Sequence, residues 1–549
     1  MIAIPIIPDS APFSSEQRSW LNGFLAGMLS RGESSASTEP ARAQIPLLIA
    51  FGSQSGNSES LAKAIGKQAT AKGFAVKIAG LDAVKAADFV QSGNVLVITS
   101  TWGEGDMPDN ATAFWDTLNQ NGASPALSGV RFSVLALGDK NYGDTFCLAG
   151  RKMDERLEQL GAQRIHARVE CDVDFDEPAK TWIEGVFKSL EGASSNAPAP
   201  PAPATQDVNE EAPAETGYSK KNPFPAPLIA NVKLTGERSA KDTRHFALSL
   251  AGSGLAYETG DALGLIARND IDVVNTIISA HGFTGDEIVP LPDGGNATLR
   301  DALISKYEVR AQLGKTLEKP ISPTDFIESL RKLQPRLYSI ASSLKAHPDE
   351  VHLCVAAVRY ETNGLKHQGV ASTFLAERLP LGHTTGVFIH TAKHFRVPTD
   401  GETPMIMVGP GTGVAPFRAF LEERQVVGAK GRNWLFFGDQ KRKHDFLYEE
   451  QILNWVNDGH LTRLDIAFSR DQAEKVYVQD RMMSAASELW QWLESGAHFY
   501  VCGDASRMAK DVDAALHKII QQQSGSSEED ATAYVAEMKK SKRYARDVY

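Results

Sequence analysis

The chain has 549 residues, with 57 Lys and Arg against 68 Asp and Glu for a formal charge of −11. That balance argues against a nucleic-acid binder, which needs a basic face, and suits a protein that meets a basic partner surface. Four cysteines (Cys147, Cys171, Cys354 and Cys502) with no CxxC pair argue against a disulfide framework or a cysteine-rich iron–sulfur site and fit a reducing cytoplasm.

The length is enough for three or four domains, each with its own core. Residues 1–43 show neither a basic n-region nor an apolar run long enough to span a bilayer, so no signal peptide or membrane anchor is expected. Trp20, Leu21, Phe24, Leu25 and Met28 repeat at i, i+1, i+4, i+5 and i+8, which predicts one short amphipathic helix capped by Ser14 or Ser15. Such a helix either packs on its own domain or joins copies of the chain.

Residues 44–190 alternate apolar runs with helical patterns. The runs IPLLIAF (45–51), VKI (76–78), VLVITS (95–100) and FSVLALG (132–138), with a helical stretch from about Ser58 to Lys72, predict a doubly wound parallel sheet covered on both faces. The first run enters Gly52-Ser53-Gln54-Ser55-Gly56-Asn57. Backbone N–H groups at a helix start, close-approach glycines and hydroxyl donors together make a phosphate cradle. Alone, such a loop is equally an ordinary βα turn. Two more loops strengthen the reading: Thr101-Trp102-Gly103-Glu104-Gly105-Asp106 and Leu137-Gly138-Asp139-Lys140-Asn141-Tyr142. Trp102 and Tyr142 can sandwich a flat ring system by offset stacking.

In order and spacing, these three loops resemble flavodoxin and the FMN domain of diflavin reductases. The resemblance implies FMN bound by Ser53, Gln54, Ser55, Gly56, Asn57, Thr101, Trp102, Gly103, Gly105, Leu137, Gly138, Asp139, Asn141, Tyr142 and Cys147. The acidic run Glu170–Glu177 lacks the glycine and distal glutamate of an EF-hand, so calcium is not expected. It is either a solvated, helix-capping face or a patch that docks an electron acceptor.

Residues 191–222 are rich in Ala, Pro and acid without an apolar period, which predicts a flexible linker of roughly 30 Å root-mean-square span. It tethers a mobile front domain. From 223 to 402, short β-like runs suggest an antiparallel barrel with a helical insertion at about 268–333. From 403 to 549 the βα rhythm returns in PMIMVGPG, NWLFFGD, LTRLDIAFS and HFYVCGD, whose strand ends suit ligands. His390 and His394 follow a strand-like run, so a helical metal pair is not expected there; no metal site is.

Residues 223–549 resemble the ferredoxin–NADP reductase module of diflavin reductases, with Gly260-Asp261-Ala262-Leu263-Gly264 matching the barrel motif. The resemblance implies FAD bound by Arg336, Leu337, Tyr338, Ser339, Gly369, Val370, Ala371 and Ser372, with Tyr549 stacked on the ring as a lid. It implies NADPH bound through the turn Gly409-Pro410-Gly411-Thr412-Gly413 by Gly411, Thr412, Arg418, Ser469, Arg470, Lys475, Tyr477, Gln479, Cys502 and Asp511. Ser339, Cys502, Asp547 and Tyr549 then form the hydride-transfer group.

SEQRSWLNGFLAGML, NWLFFGDQ, SRDQAEKVYVQD, GAHFYVCGDASRMAKDV and RYARDVY extend the resemblance to the flavoprotein (alpha) components of bacterial NADPH–sulfite reductases. That implies electron flow from NADPH through FAD and FMN to a sulfite reductase haemoprotein (beta subunit), with the N-terminal helix assembling a homo-oligomer. One departure stands out: only residues 265–335 separate GDALG from RLYSI, shorter than the usual connecting domain. The alternatives are a reductase for a P450 or a nitrite reductase, or a flavin-binding carrier that no longer turns over.

Overall fold

The computed structural model describes residues 14, 18, 45–53, 56–103, 105–119, 126–191, 217–315, 321–362 and 364–549. The helix expected around Trp20–Met28, most of the linker, and Gln54, Ser55 and Glu104 lie outside the described residues.

The front domain carries β1 (Ile45–Gly52), β2 (Phe74–Gly80), β3 (Asn94–Ser100), β4 (Arg131–Leu137), β5 (Gln163–Arg164) and β6 (Val169–Cys171). They form one parallel sheet in the order β2-β1-β3-β4-β5, with β6 also on β4. β3 and β4 are buried almost throughout, as central strands covered on both faces must be, while the edge strand β2 is half-exposed. The helix Asn57–Ala71 buries Ala62, Ile65, Gly66 and Ala69, the i, i+3, i+4, i+7 stripe that seats it on the sheet. Leu48, Val95 and Phe132 belong to the core on one face, and Leu47, Ile98 and Trp182 to the core on the other.

The middle domain carries β7 (Phe224–Lys233), β8 (Thr243–Ser249), β9 (Ala262–Leu265), the hairpin β10 (Ile288–Pro290) and β11 (Asn296–Thr298), β12 (Arg336–Ser339), β13 (Glu350–Ala356), the hairpin β14 (Arg359–Thr362) and β15 (Leu365–Gln368), and β16 (Thr384–His390). Six of these strands run antiparallel as β12-β9-β16-β7-β8-β13, and a bridge from Ile340 to Leu353 brings the two ends together as a barrel. Gly260 (φ 99°) is required at the barrel corner, because a Cβ there would lie 1.7 Å from the Phe395 carbonyl oxygen. The insertion before β12 holds helices Ile271–Ala280, Leu299–Ser305 and Pro323–Glu328 around a small core of Val274, Ile277, Leu303 and Phe326.

The last domain is a parallel sheet of β17 (Met405–Val408), β18 (Asn433–Asp439), β19 (Arg463–Phe468), β20 (His498–Gly503) and β21 (Tyr544–Val548), in the order β19-β18-β17-β20-β21. In both parallel sheets the strand order reverses beside the first strand, between β1 and β3 and between β17 and β20. A crevice opens at the carboxyl ends of such a pair. No helix among the described residues is long and apolar enough to cross a membrane.

Candidate functional site

At the front crevice Gly52 of β1 lies level with Thr99 of β3. The Ser53 N–H donates to Asn110 Oδ1 at 2.8 Å, and Asn110 Nδ2 donates to the Phe51 carbonyl at 3.2 Å, so Asn110 pins the start of the loop. Gly56 (φ 84°) turns the chain into the helix that begins at Asn57. The hydroxyls of Ser53, Ser58 and Ser100 are buried there without a hydrogen-bond partner. Buried polar groups are ordinarily paired, so three orphans around one helix start fit a phosphate and its ribityl chain. Ser58 follows the first loop directly in the chain, whereas Asn110 and Ser100 are brought to it only by the fold.

The second loop is closed by Trp102 N–H to Asp106 O (3.0 Å) and Asp106 N–H to Trp102 O (2.8 Å), with Gly103 and Gly105 both at positive φ. The Thr101 N–H donates to Leu137 O, and the Thr101 hydroxyl accepts from the Ala149 N–H at 3.2 Å, which ties this loop to the third. Gly138 donates to Cys171 O, Asp139 accepts from the Tyr142 N–H, and Asn141 lies in the turn Lys140–Thr145. Tyr142 is 65% exposed and Trp102 half-buried, which leaves aromatic surface for a ring between the loops. Trp102→Ala is expected to weaken FMN binding by about tenfold, the scale of one lost aromatic stack; apoprotein titration with FMN measures it.

Cys147 requires a correction. It is 0% exposed, and its thiol points at the Ala136 and Cys171 carbonyls (3.4 and 3.5 Å). Burial pushes that thiol up to about 12. Its side chain packs against the sheet. In the acidic run, Asp172 and Asp174 lie 3.9 and 3.4 Å from Arg331 and Lys332 of the insertion, Glu170 pairs with Arg151 and Arg168, and Asp176 and Glu177 are exposed.

In the reductase half, β12 pairs with β9 over Arg336–Ser339. Arg336 donates to the Gln334 carbonyl at 2.9 Å, Tyr338 leans on the barrel core and Leu337 faces solvent. Gly369 opens the turn Val370–Thr373, where the Thr373 hydroxyl donates to Gly369 O at 2.8 Å. Ala371 is buried, and the Ser372 hydroxyl accepts from the Val358 N–H at 3.1 Å.

Ser339, Cys502, Asp547 and Tyr549 converge from β12, β20 and the chain's last residues. The Ser339 hydroxyl donates to Asp547 Oδ2 at 2.5 Å, and Cys502 Sγ lies 3.8 Å from the same oxygen. Parallel pairing sets Cys502 level with Asp547. Burial raises the Asp547 pKa, opposed by the Ser339 hydrogen bond and by His394. The Tyr549 hydroxyl sits 2.9 Å from Thr412 Oγ1, its N–H donates to Gly503 O, and the residue is 60% exposed.

The dinucleotide turn follows β17. Gly413 has no substitute, because a Cβ there would lie 2.1 Å from the Cys502 carbonyl oxygen. Ser469 and Arg470 donate their N–H groups to Asp439 O and Gln440 O (2.9 and 2.8 Å). Arg470, Lys475 and Tyr477 are exposed, and Gln479 reaches Asp511 Oδ2 at 3.3 Å. This cluster of a hydroxyl, cations and amide suits a 2′-phosphate.

Arg418 is the second correction. It is only 8% exposed, and its guanidinium is committed to the Ala341 carbonyl (2.5 Å), Gln451 (2.7 Å) and Glu422 (2.7 Å), so it holds domains together and reaches no pyrophosphate. The cation at the turn is instead Lys241, from the loop between β7 and β8. Its Nζ lies 2.5 Å from Asp439 Oδ1, beside a cleft of about 510 Å³ that Thr412 also lines. Lys241→Met is expected to raise KM for NADPH and NADH by the same factor, about tenfold, as loss of a charge-assisted bond would; paired steady-state assays compare them.

Among the described residues, His347, Glu350 and His352 have the spacing of a metal site, away from His390 and His394. Arg418 Nη1 lies 3.4 Å from His352 Nδ1, and His352 Nε2 lies 2.9 Å from Glu350. An arginine only donates, so Nδ1 is the acceptor and Nε2 carries the proton toward Glu350.

A flavodoxin-type domain joined to a barrel and a dinucleotide-binding sheet, with glycine turns at both switch points, defines a two-flavin, NADP-linked oxidoreductase. The flavodoxin family matches residues 49–182, the FAD binding domain residues 217–318 and 318–374, and the oxidoreductase NAD-binding domain residues 407–514. A sulfite reductase [NADPH] flavoprotein alpha-component of Bacillus subtilis is 42% identical over 98% of this chain and 96% of its own length. Those of Photobacterium profundum and Vibrio cholerae are 39% and 40% identical over 98% of this chain and 96% and 94% of their own lengths. The chain belongs to the family of sulfite reductase [NADPH] flavoprotein alpha-components.

Proposed function

We propose that this chain takes hydride from NADPH and delivers the electrons, by way of FAD and FMN, to a sulfite reductase haemoprotein that reduces sulfite to sulfide. The observation that carries the reading is the convergence of Ser339, Cys502 and Asp547 beside Thr412 and Tyr549 in a chain similar to these relatives over nearly its whole length.

The FMN, FAD and NADPH residues are those named from the sequence, without Cys147 and Arg418 and with Ser58, Ser100, Asn110 and Lys241 added. When bound, the two flavins supply the conversion of a hydride pair into single electrons. The chain binds and orients them, holds the Ser339 hydroxyl toward Asp547, and covers Cys502 with its terminal tyrosine. A carboxylate beside the nicotinamide site stabilises the positive charge that hydride departure leaves on that ring. Four buried free cysteines fit a cytoplasmic location. Assembly of several copies through the N-terminal segment belongs to the same proposal.

The test is anaerobic: protein, NADPH, sulfite and a sulfite reductase haemoprotein are combined, sulfide is assayed, and each component is omitted in turn. Sulfide is expected only with all four. Brisk NADPH-dependent ferricyanide reduction without sulfide would overturn the haemoprotein assignment while leaving the reductase half in place.

A further inference from the structure

β18 ends at Asp439, and the strand lies between β17 with its glycine turn and β19 with the loop that carries Ser469 and Arg470. The backbone of Asp439 faces that loop. Its carbonyl accepts from the Ser469 N–H at 2.9 Å and from the Ser469 hydroxyl at 3.3 Å, and the next carbonyl, of Gln440, accepts from the Arg470 N–H at 2.8 Å. The side chain faces the turn. A Cβ added to Gly411 would lie 3.7 Å from Asp439 Oδ2 and 3.8 Å from Lys241 Nζ. One residue therefore stands between the turn that suits a pyrophosphate and the cluster that suits a 2′-phosphate. A cofactor bound at both must lay its adenosine ribose beside Asp439.

The Asp439 side chain is 1% exposed, and its two oxygens are used unequally. Oδ1 accepts from Lys241 Nζ at 2.5 Å and from the Gln440 N–H at 2.7 Å. Oδ2 is buried without a hydrogen-bond partner among the described residues. Buried polar atoms ordinarily have one, so an orphaned carboxylate oxygen asks for a donor. Gly411, which faces it, has no side chain to offer, and the Thr412 hydroxyl is paired with Tyr549. Asp439, Lys241 and Thr412 all line the cleft of about 510 Å³.

A bare carboxylate between two phosphate sites would repel both, and the Lys241 ammonium offsets that charge. An ammonium has three N–H donors, so Lys241 can keep Asp439 Oδ1 while it turns toward a pyrophosphate oxygen. Dinucleotide-binding sheets use an acidic residue beyond the glycine turn to accept from a ribose hydroxyl. Where the 2′-oxygen carries a phosphate, the hydroxyl left to donate on that ribose is the 3′.

We propose that Asp439 Oδ2 accepts from the adenosine 3′-hydroxyl of the cofactor, and that Lys241 opens this oxygen to the ribose as it shifts toward the pyrophosphate. The ribose is then read at both positions, its 2′-phosphate by Ser469, Arg470 and Lys475 and its 3′-hydroxyl by Asp439. This rests on the proposed reading of the cleft as the NADPH site.

The test is calorimetric titration of the oxidised holoprotein with adenosine 2′-monophosphate and with its 3′-deoxy analogue, neither of which has a pyrophosphate. The natural sequence is compared with Asp439→Leu and Lys241→Met, with FAD content and thermal stability checked for each. In the natural protein, loss of the 3′-hydroxyl is expected to weaken binding by about tenfold, the scale of one hydrogen bond to a charged group. Asp439→Leu should weaken the parent nucleotide by a similar factor and bind both nucleotides alike. Lys241→Met should keep the preference for the 3′-hydroxyl. Equal binding of the two nucleotides by the natural protein overturns the proposal without recourse to any variant. A preference that persists in Asp439→Leu, or that disappears in Lys241→Met, overturns it as well, by assigning the hydroxyl to another group. The functional reading fails separately, on a natural protein whose flavins NADPH does not reduce; equal nucleotide binding by a protein that NADPH does reduce removes the role of Asp439 alone.

Discussion

Replacing Asp547 with Ala is expected to lower the rate of NADPH-dependent ferricyanide reduction by about 100-fold, the lower range for losing one positioned acid–base or charge-stabilising group, with FAD content unchanged. Asp547 accepts from Ser339 and lies within reach of Cys502, so its removal frees both side chains at once. The carboxylate form does the work, because only an ionised Asp547 stabilises positive charge on the nicotinamide. Burial raises its pKa, which moves the loss of that form to a higher pH than for an ordinary aspartate. The rate should therefore fall as pH drops through this raised pKa. Asp547→Asn should be slow at every pH and lack that acid limb. A stopped-flow pH profile of FAD reduction checks both, and an acid limb that persists in Asp547→Asn would assign it to another group.

Replacing Arg418 with Ala is expected to cost about 3–5 kcal/mol of stability, the range for breaking a buried ion pair from one side. Glu422, 5% exposed, would lose its arginine and keep only Ser343, Gln451 and His347, and the Ala341 carbonyl would lose its donor. The neighbouring His245 and His352 are pressed down to about 3 by burial, with Arg418 adding to the effect; removing it relaxes that contribution without bringing a replacement charge. The readouts are the temperature of FAD release and the KM for NADPH. A large fall in the first with no change in the second fits a clamp between the barrel and the last sheet. The opposite pattern, normal stability with weak NADPH binding, would return Arg418 to the cofactor.

The two glycine turns were legible without coordinates because their signals are local. An apolar run, a turn of small residues and a helical period lie within some twenty residues of one another at Gly52–Ala71 and again at Met405–Val426. Backbone sterics and the burial of one face determine such a unit whatever surrounds it. The rhythm of alternating runs likewise carried the two parallel sheets, and the Ala- and Pro-rich stretch marked the division between the halves.

Side-chain partnership is different in kind. Arg418 follows the turn in sequence, yet its side chain is claimed by Ala341 and Gln451, 77 and 33 positions away. Lys241 reaches the turn from 198 positions before Asp439, Ser339 meets Asp547 across 208, and Asp109 meets Arg546 across 437. Nothing in local spacing distinguishes a committed arginine from a free one, because a charged side chain takes whichever partner the packed domains bring within reach. The sequence by itself determined the domain classes and the loops that cradle cofactors, since those follow from short-range periodicity and glycine stereochemistry. Only the tertiary structure decided which cations face the cofactor clefts and which are spent joining domains, because burial and pairing at contact distance are properties of the assembled surfaces.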